Sequence, residues 1–120
     1  MNDSIDLVLF DVAGAKFGAD LAQVARIDNP HSLTLVRSQL GTPRQGHRAI
    51  VFTASNGDEV GVPVDVVRGV AAVPLAELRR LPASASTPFA IGAWVKGDKT
   101  VLLIDLHALA ELPERKGAAP

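Results

Sequence analysis

The chain has 120 residues, 48% of them apolar and 21% charged, and a formal net charge of −1. This is long enough for one domain with a real core and too apolar for general disorder, and it carries no broad basic field for nonspecific nucleic-acid binding. The lack of cysteine excludes disulfides, thiolate metal sites and cysteine nucleophiles.

No apolar run approaches the ~20 residues that a membrane-spanning helix needs. The opening MNDSIDLVLFDV places acids where a signal peptide carries a basic region, so a cytoplasmic protein with no direct membrane insertion is expected.

Taken in order, residues 5–12 are apolar with Asp6 and Asp11 interspersed, which predicts a strand. Ala13-Gly14 is a turn signal and residues 16–21 form a second strand, giving a hairpin. Leu21, Val24 and Ile27 recur every three residues, which suits one turn of helix with an apolar stripe, ended by Asn29-Pro30. Residues 32–40 alternate and are assigned a strand entering a turn, and 41–47, with two glycines and Pro43, are a loop and the expected boundary between two lobes. Residues 48–54 are a strand, followed by the hairpin signal Asn56-Gly57.

The stretch EVGVPVDVVRGVAAV (59–73) organises the rest. Val60, Val62, Val64 and Val66 alternate with Glu59, Gly61, Pro63 and Asp65, the signature of a strand with one buried face. Val67 then puts an apolar side chain on the polar face, which calls for a cover: a second sheet, the end of a small barrel, or a binding partner. Pro63 removes an amide donor and implies an edge or bulge, and Arg68-Gly69 bends the strand. Residues 74–81 predict a short helix with Pro74 at its first position, and 82–88 a loop. Strands over 89–95 and 100–104 flank the KGDK turn, and Asp105 caps a last helix bearing Leu106, Leu109 and Ala110 before Pro113. Many short strands joined by tight turns predict a mainly β fold of small, strongly bent sheets or barrels.

A search for catalytic chemistry finds little. His31, His47 and His107 are not at metal-ligand spacing, no phosphate loop ends in Lys-Ser or Lys-Thr, and no serine stands in a nucleophile elbow. Asp65 and Asp105 each end a hydrophobic strand, where turn formation or helix capping explains them better than acid–base work. A binding module without cofactor, metal or small-molecule substrate is therefore expected rather than an enzyme. Arg26, Arg37, Arg44 and Arg48 share a window whose only acid is Asp28, either a solvated basic edge or a contact for an acidic partner.

Three stretches carry a family resemblance. IVFTASNGDEVGVPVDVVRGVAAV (50–73) resembles the second-lobe hairpin of CheW-like domains, with Gly61, Val64, Asp65, Val67, Gly69 and Val70 at the signature positions. IGAWVKGDKTVLLIDLHAL (91–109) resembles the family's closing segment, and LVLFDVAGAKFGADLAQVARI (7–27) its opening one. The resemblance implies two small SH3-like β-barrel lobes in a single domain, here 1–46 as a reduced first lobe, 47–113 as the second lobe and 114–120 as a tail. It further implies a non-enzymatic adaptor of a bacterial chemosensory array that holds the helical tip of a methyl-accepting chemoreceptor in an apolar groove between the lobes. By motif position that groove involves Val8, Leu21, Val24, Ile27 and Val67.

The departures fall in the first lobe. Ile27 is followed almost at once by LTLVRSQLG (33–41), without the family's Asn-x-Arg-Gly stretch, and Arg26 stands where the family has Glu. Losing a buried Glu together with its Arg partner is physically coherent, because either charge alone would be costly. Because the family's first lobe contacts the CheA-type histidine kinase, the reading is a short, divergent accessory member. It would bind receptors, other CheW-like domains or itself, with kinase coupling weakened or lost. The alternative from another class is a small β-barrel nucleic-acid-binding domain using the basic 26–48 edge.

Overall fold

The computed structural model describes residues 3–29, 34–35, 40–45, 48–81 and 88–111. Three hairpins form where local chemistry calls for them. β1 (Ser4–Val12) and β2 (Ala15–Asp20) pair from Leu7↔Asp20 to Val12↔Ala15. Ala13 and Gly14 between them have φ of 52° and 86°, the two positive values of a type I′ turn, whose twist matches that of the strands it joins. β5 (Arg48–Thr53) and β6 (Glu59–Val64) flank Asn56-Gly57 in a loop longer than a two-residue turn, closed by Ala54 N donating to Asp58 O at 2.8 Å and Gly57 N to Ala54 O at 2.9 Å. β9 (Ala90–Lys96) and β10 (Lys99–Ile104) turn at Gly97-Asp98.

Between these lie β3 (Arg26–Asp28), β4 (Thr34–Leu35), β7 (Val66–Pro74) and β8 (Leu78–Arg79), and the described chain ends in α1 (Leu106–Glu111). Three expectations are corrected. The stripe Leu21, Val24, Ile27 does not ride on an α-helix: Leu21–Gln23 is a 3₁₀ turn, and the chain is extended from Val24 into β3. The three-residue repeat that suggested a helix is also the period of a 3₁₀ turn. The helix expected over 74–81 is likewise a 3₁₀ turn, Leu75–Glu77, entered from Pro74 and leading into β8. The strand expected over 32–40 is not among these: Thr34 and Leu35 are strand and Leu40 is a turn, and its other residues lie outside the described residues. The stretch 59–73 is two strands, β6 and β7, broken at Asp65 and belonging to different sheets.

A six-stranded sheet runs β7-β1-β2-β10-β9-β8 and a four-stranded sheet β3-β5-β6-β4. The division of the strands does not follow the boundary drawn at residue 46. β1 and β2 lie in the sheet of β7 to β10, with β2 parallel to β10, whereas β3 and β4 join β5 and β6. Laid flat, six strands at about 4.8 Å spacing would hold β7 and β8 roughly 24 Å apart. The connection between them is only Leu75–Glu77, and three residues reach ~10 Å at most. The sheet must therefore curl. Its concave face encloses Leu7, Val73 and Leu103, with Ile5, Leu9, Leu78, Trp94 and Val101 against them. Among the described residues β7 and β8 do not pair, so the curl falls short of the closed barrel expected, while the mainly β fold holds.

The other face of β1 meets the four-stranded sheet over a shared core. Val8, Phe10 and Val12 pack with Phe17, Ile50, Phe52, Val62, Val64, Ile104, Leu106 and Leu109. α1 is amphipathic, with Leu106 and Leu109 buried in this core and His107 exposed. Among the described residues β4 meets β6 at Val60 and Gly61.

Candidate functional site

The crossing from β6 to β7 is built on Asp65. Its backbone N donates to Asp11 O at 2.9 Å. Its carboxylate accepts from Ala13 N at 2.8 Å and Gln45 N at 2.6 Å. One side chain thus ties the β1–β2 turn, the segment before β5 and the sheet crossing together, the turn role expected of it.

The crossing also swaps the faces of the strand. Val62 and Val64 are buried on β6, but Val66, which the alternation places on the same face, is 38% exposed. Val67 instead packs against the shared core, opposite Phe10 of β1. Two residues on, the β1–β7 register slips: Leu9 pairs with Gly69 and Phe10 with Val67, leaving Arg68 as the extra residue of a bulge. Gly69 sits at φ 117°, a conformation side-chain-bearing residues rarely adopt. Arg68 swings out to Asp11 Oδ2 at 2.7 Å, and the slip returns Val70 to the same face as Val67, opposite Val8.

The residues expected to form a groove are therefore placed unequally. Val24 and Val67 are part-buried against the shared core, and Leu21 and Ile27 are exposed at 39% each. Val8 is 3% exposed and supports this surface from beneath rather than lining it. Val70, counted in the sequence only as a motif valine, is 57% exposed and pairs with Val8 on the same face of the sheet as Val67. The signal that points to it is its motif position; the bulge that aims it is not readable from alternation. Of the remaining signature positions, Val64 and Gly61 are buried on β6 and act through packing.

A polar clasp borders the 3₁₀ turn. Gln23 Nε2 donates to Asp105 Oδ1 at 2.9 Å, and Gln23 Oε1 accepts from Leu106 N at 3.0 Å. Asp105 caps α1 as expected, accepting from His107 N at 3.0 Å. Burial pushes the Asp105 carboxyl up, but the bonds from Gln23, Ala108 and His107 outweigh it and hold the group below the usual carboxylate range. Arg26 reaches Glu59 Oε2 at 2.7 Å and Asp28 Oδ2 at 3.0 Å. The bond from Arg26 lowers Glu59, while Asp28 is lowered first by the Asn29 amide and then by Arg26. The leading cation of the 26–48 edge is thus balanced by an acid remote in sequence. Arg44 lies against Gly14, Arg48 opens β5, and Arg37 is outside the described residues.

No group of three or more His, Asp or Glu side chains suited to a metal occurs among the described residues, and none of their charged side chains is buried. His107 tilts against Phe52 at 6.1 Å, and His31 and His47 lie outside the described residues. No helix among them is long and apolar enough to cross a membrane.

Two bent sheets thus share one core, and Leu21, Ile27 and Val70 stand exposed on them. The chain belongs to the CheW-like domain family, whose model matches residues 36–114, and it is a scaffold of chemotaxis-type signalling. It is 44% identical over 114 residues to the Frizzy aggregation protein FrzB of Myxococcus xanthus, covering 92% of this chain and 99% of that one. Its fold matches the scaffolding protein TtCheW from Thermoanaerobacter tengcongensis with a TM-score of 0.70 at 20% identity, over 92% of this chain and 94% of the other.

Proposed function

We propose that the seam formed by Leu21, Val24, Ile27, Val67 and Val70 binds the cytoplasmic helical tip of a methyl-accepting chemoreceptor, or a neighbouring CheW-like domain, in the cytoplasm. The observation that carries this reading is the exposure of Leu21, Ile27 and Val70, with Val24 and Val67 part-buried against the one shared core. An amphipathic helix laid on such a surface buries apolar side chains at about 1.5–3 kcal/mol for each one fully covered. Coupling of a CheA-type kinase is weak or lost. Supporting this, the sequence lacks the Asn-x-Arg-Gly stretch, and Arg26 stands where the family has Glu.

The test is capture of the full-length protein by a cognate receptor's cytoplasmic hairpin and, separately, by the kinase regulatory domain. Val67→Asp abolishes receptor capture. Because Val67 touches the core, Leu21→Asp and Val70→Asp are the fold-sparing companions, each expected to weaken capture about tenfold or more. Strong kinase binding without receptor binding overturns the reading, and unchanged affinity in both companions removes the seam from it.

A further inference from the structure

At one end of the six-stranded sheet a mouth of about 240 Å³ opens beside β1, with Leu9, Phe10, Phe17, Trp94 and Val101 as its apolar lining. Its floor is Leu9, Trp94 and Val101, all part-buried on the second hydrophobic cluster. Trp94 is the only tryptophan in the chain. Its Nε1 donates to Glu77 Oε1 at 2.9 Å, which fixes the ring and satisfies its polar atom. The rim is cationic: Lys16, Lys96 and Lys99 stand around it with Arg68. Arg68 is balanced by Asp11 on the same rim. The three lysines have no ion pair among the described residues, and Lys96 Nζ lies 5.8 Å from the Trp94 ring centroid. Three lysines without an ion pair thus border an apolar recess, with Asp98 beside Lys16 and Lys99 in the adjoining depression, on a chain of net charge −1.

Three features decide what fits. The space is smaller than the roughly 300–1,000 Å³ of a small-molecule site and suits one large side chain. Of the three aromatics that line the space, Phe10 and Phe17 are buried, so Trp94 offers no succession of stacking platforms, which disfavours nucleic acid. The apolar groups are recessed, whereas a membrane-binding surface projects them. A fixed tryptophan at the bottom of a charged ring is the arrangement of a protein-binding hot spot.

We propose that this mouth binds an acidic segment of a partner protein, which inserts one apolar side chain between Leu9, Trp94 and Val101 and sets carboxylates against Lys16, Lys96 and Lys99. The site shares no residue with the seam, so its success or failure is independent of receptor binding.

The test uses the full-length protein and a fluorescent synthetic peptide of glutamate and glycine with one central leucine. One companion peptide carries alanine at the centre and another lysine in place of glutamate. Anisotropy reads binding, and Trp94 emission reads occupancy of the floor. The leucine peptide shifts Trp94 emission and binds about tenfold or more tightly than the alanine peptide, and the lysine peptide does not bind. Lys96→Glu with Lys99→Glu weakens binding about tenfold or more, Lys96→Arg with Lys99→Arg retains it, and receptor capture is unaffected by either. Equal binding of the leucine and alanine peptides, or unchanged binding in the double glutamate variant, overturns the proposal. So does self-association lost in that variant, which makes the occupant a second copy, or recruitment to anionic vesicles without peptide binding.

Discussion

Asp65 shows how much of this architecture rests on one carboxylate. Both oxygens accept backbone amides from segments 52 and 20 residues away in sequence. Asp65→Ala leaves those amides without their charged acceptor and should cost about 1.5–3 kcal/mol, read as a lower urea midpoint. Asp65→Asn turns one oxygen into a donor facing a donor and should rescue little. An unchanged midpoint in both would remove the carboxylate from the crossing. Asp105 gives the chain a pH dependence. Its folded pKa lies below the ordinary carboxylate value, so the unfolded chain binds its proton more readily. Its contribution is full above about pH 4 and fades as pH falls through the folded value. Asp105→Asn should therefore be less stable than the parent near neutrality and should narrow that gap in acid, measured as urea midpoints across the acid range. A gap independent of pH would mean that the cap acts without its charge.

At the scale of the element, β7 is the strand that does most to aim the seam. The bulge at Arg68 and Gly69 lets Val67 and Val70 face the same way although they are three residues apart. A Cβ at Gly69 would meet nothing within 4 Å, so the cost of Gly69→Ala is backbone strain alone, about 1–3 kcal/mol. That variant should lose stability by this amount and bind receptor more weakly than its stability loss explains. Full binding by the folded variant would mean that the bulge is dispensable for aiming. The hairpins, the Asp105 cap and the last helix were legible in the sequence because turn chemistry and amphipathic spacing are local. The sheet crossing at Asp65 was not, since alternation records which way side chains point and not which sheet a strand joins. Leu21, Val24 and Ile27 were recognised as a stripe but assigned the wrong element, because a period of three does not separate one turn of α-helix from a 3₁₀ turn running into a strand. The lysine mouth was invisible for a related reason: β1, β2, β7, β9 and β10 each bring part of it.

For the molecule as a whole, the question is whether two sheets mean two folding units. A boundary at residue 46 suggests that they do, yet the strands cross it, with β2 parallel to β10 and β1 antiparallel to β7. The shared core draws on both sheets and on α1, so neither sheet keeps its buried face without the other. The concave cluster holding Trp94 is different, since its residues all come from the six-stranded sheet. If the sheets unfold independently, Trp94 fluorescence reports only the curled sheet and separates from the backbone signal. If the shared core couples them, the two probes coincide. We expect coincident urea transitions by Trp94 fluorescence and far-ultraviolet circular dichroism, with one midpoint. Phe52→Ala should then shift both together, although Phe52 belongs to the other sheet and is fully buried there. The loss should be about 3–5 kcal/mol, the range for emptying a buried aromatic site. A Trp94 transition that stays in place while the backbone signal moves would make the two sheets separate units. It would also free the mouth on the curled sheet from the state of the seam.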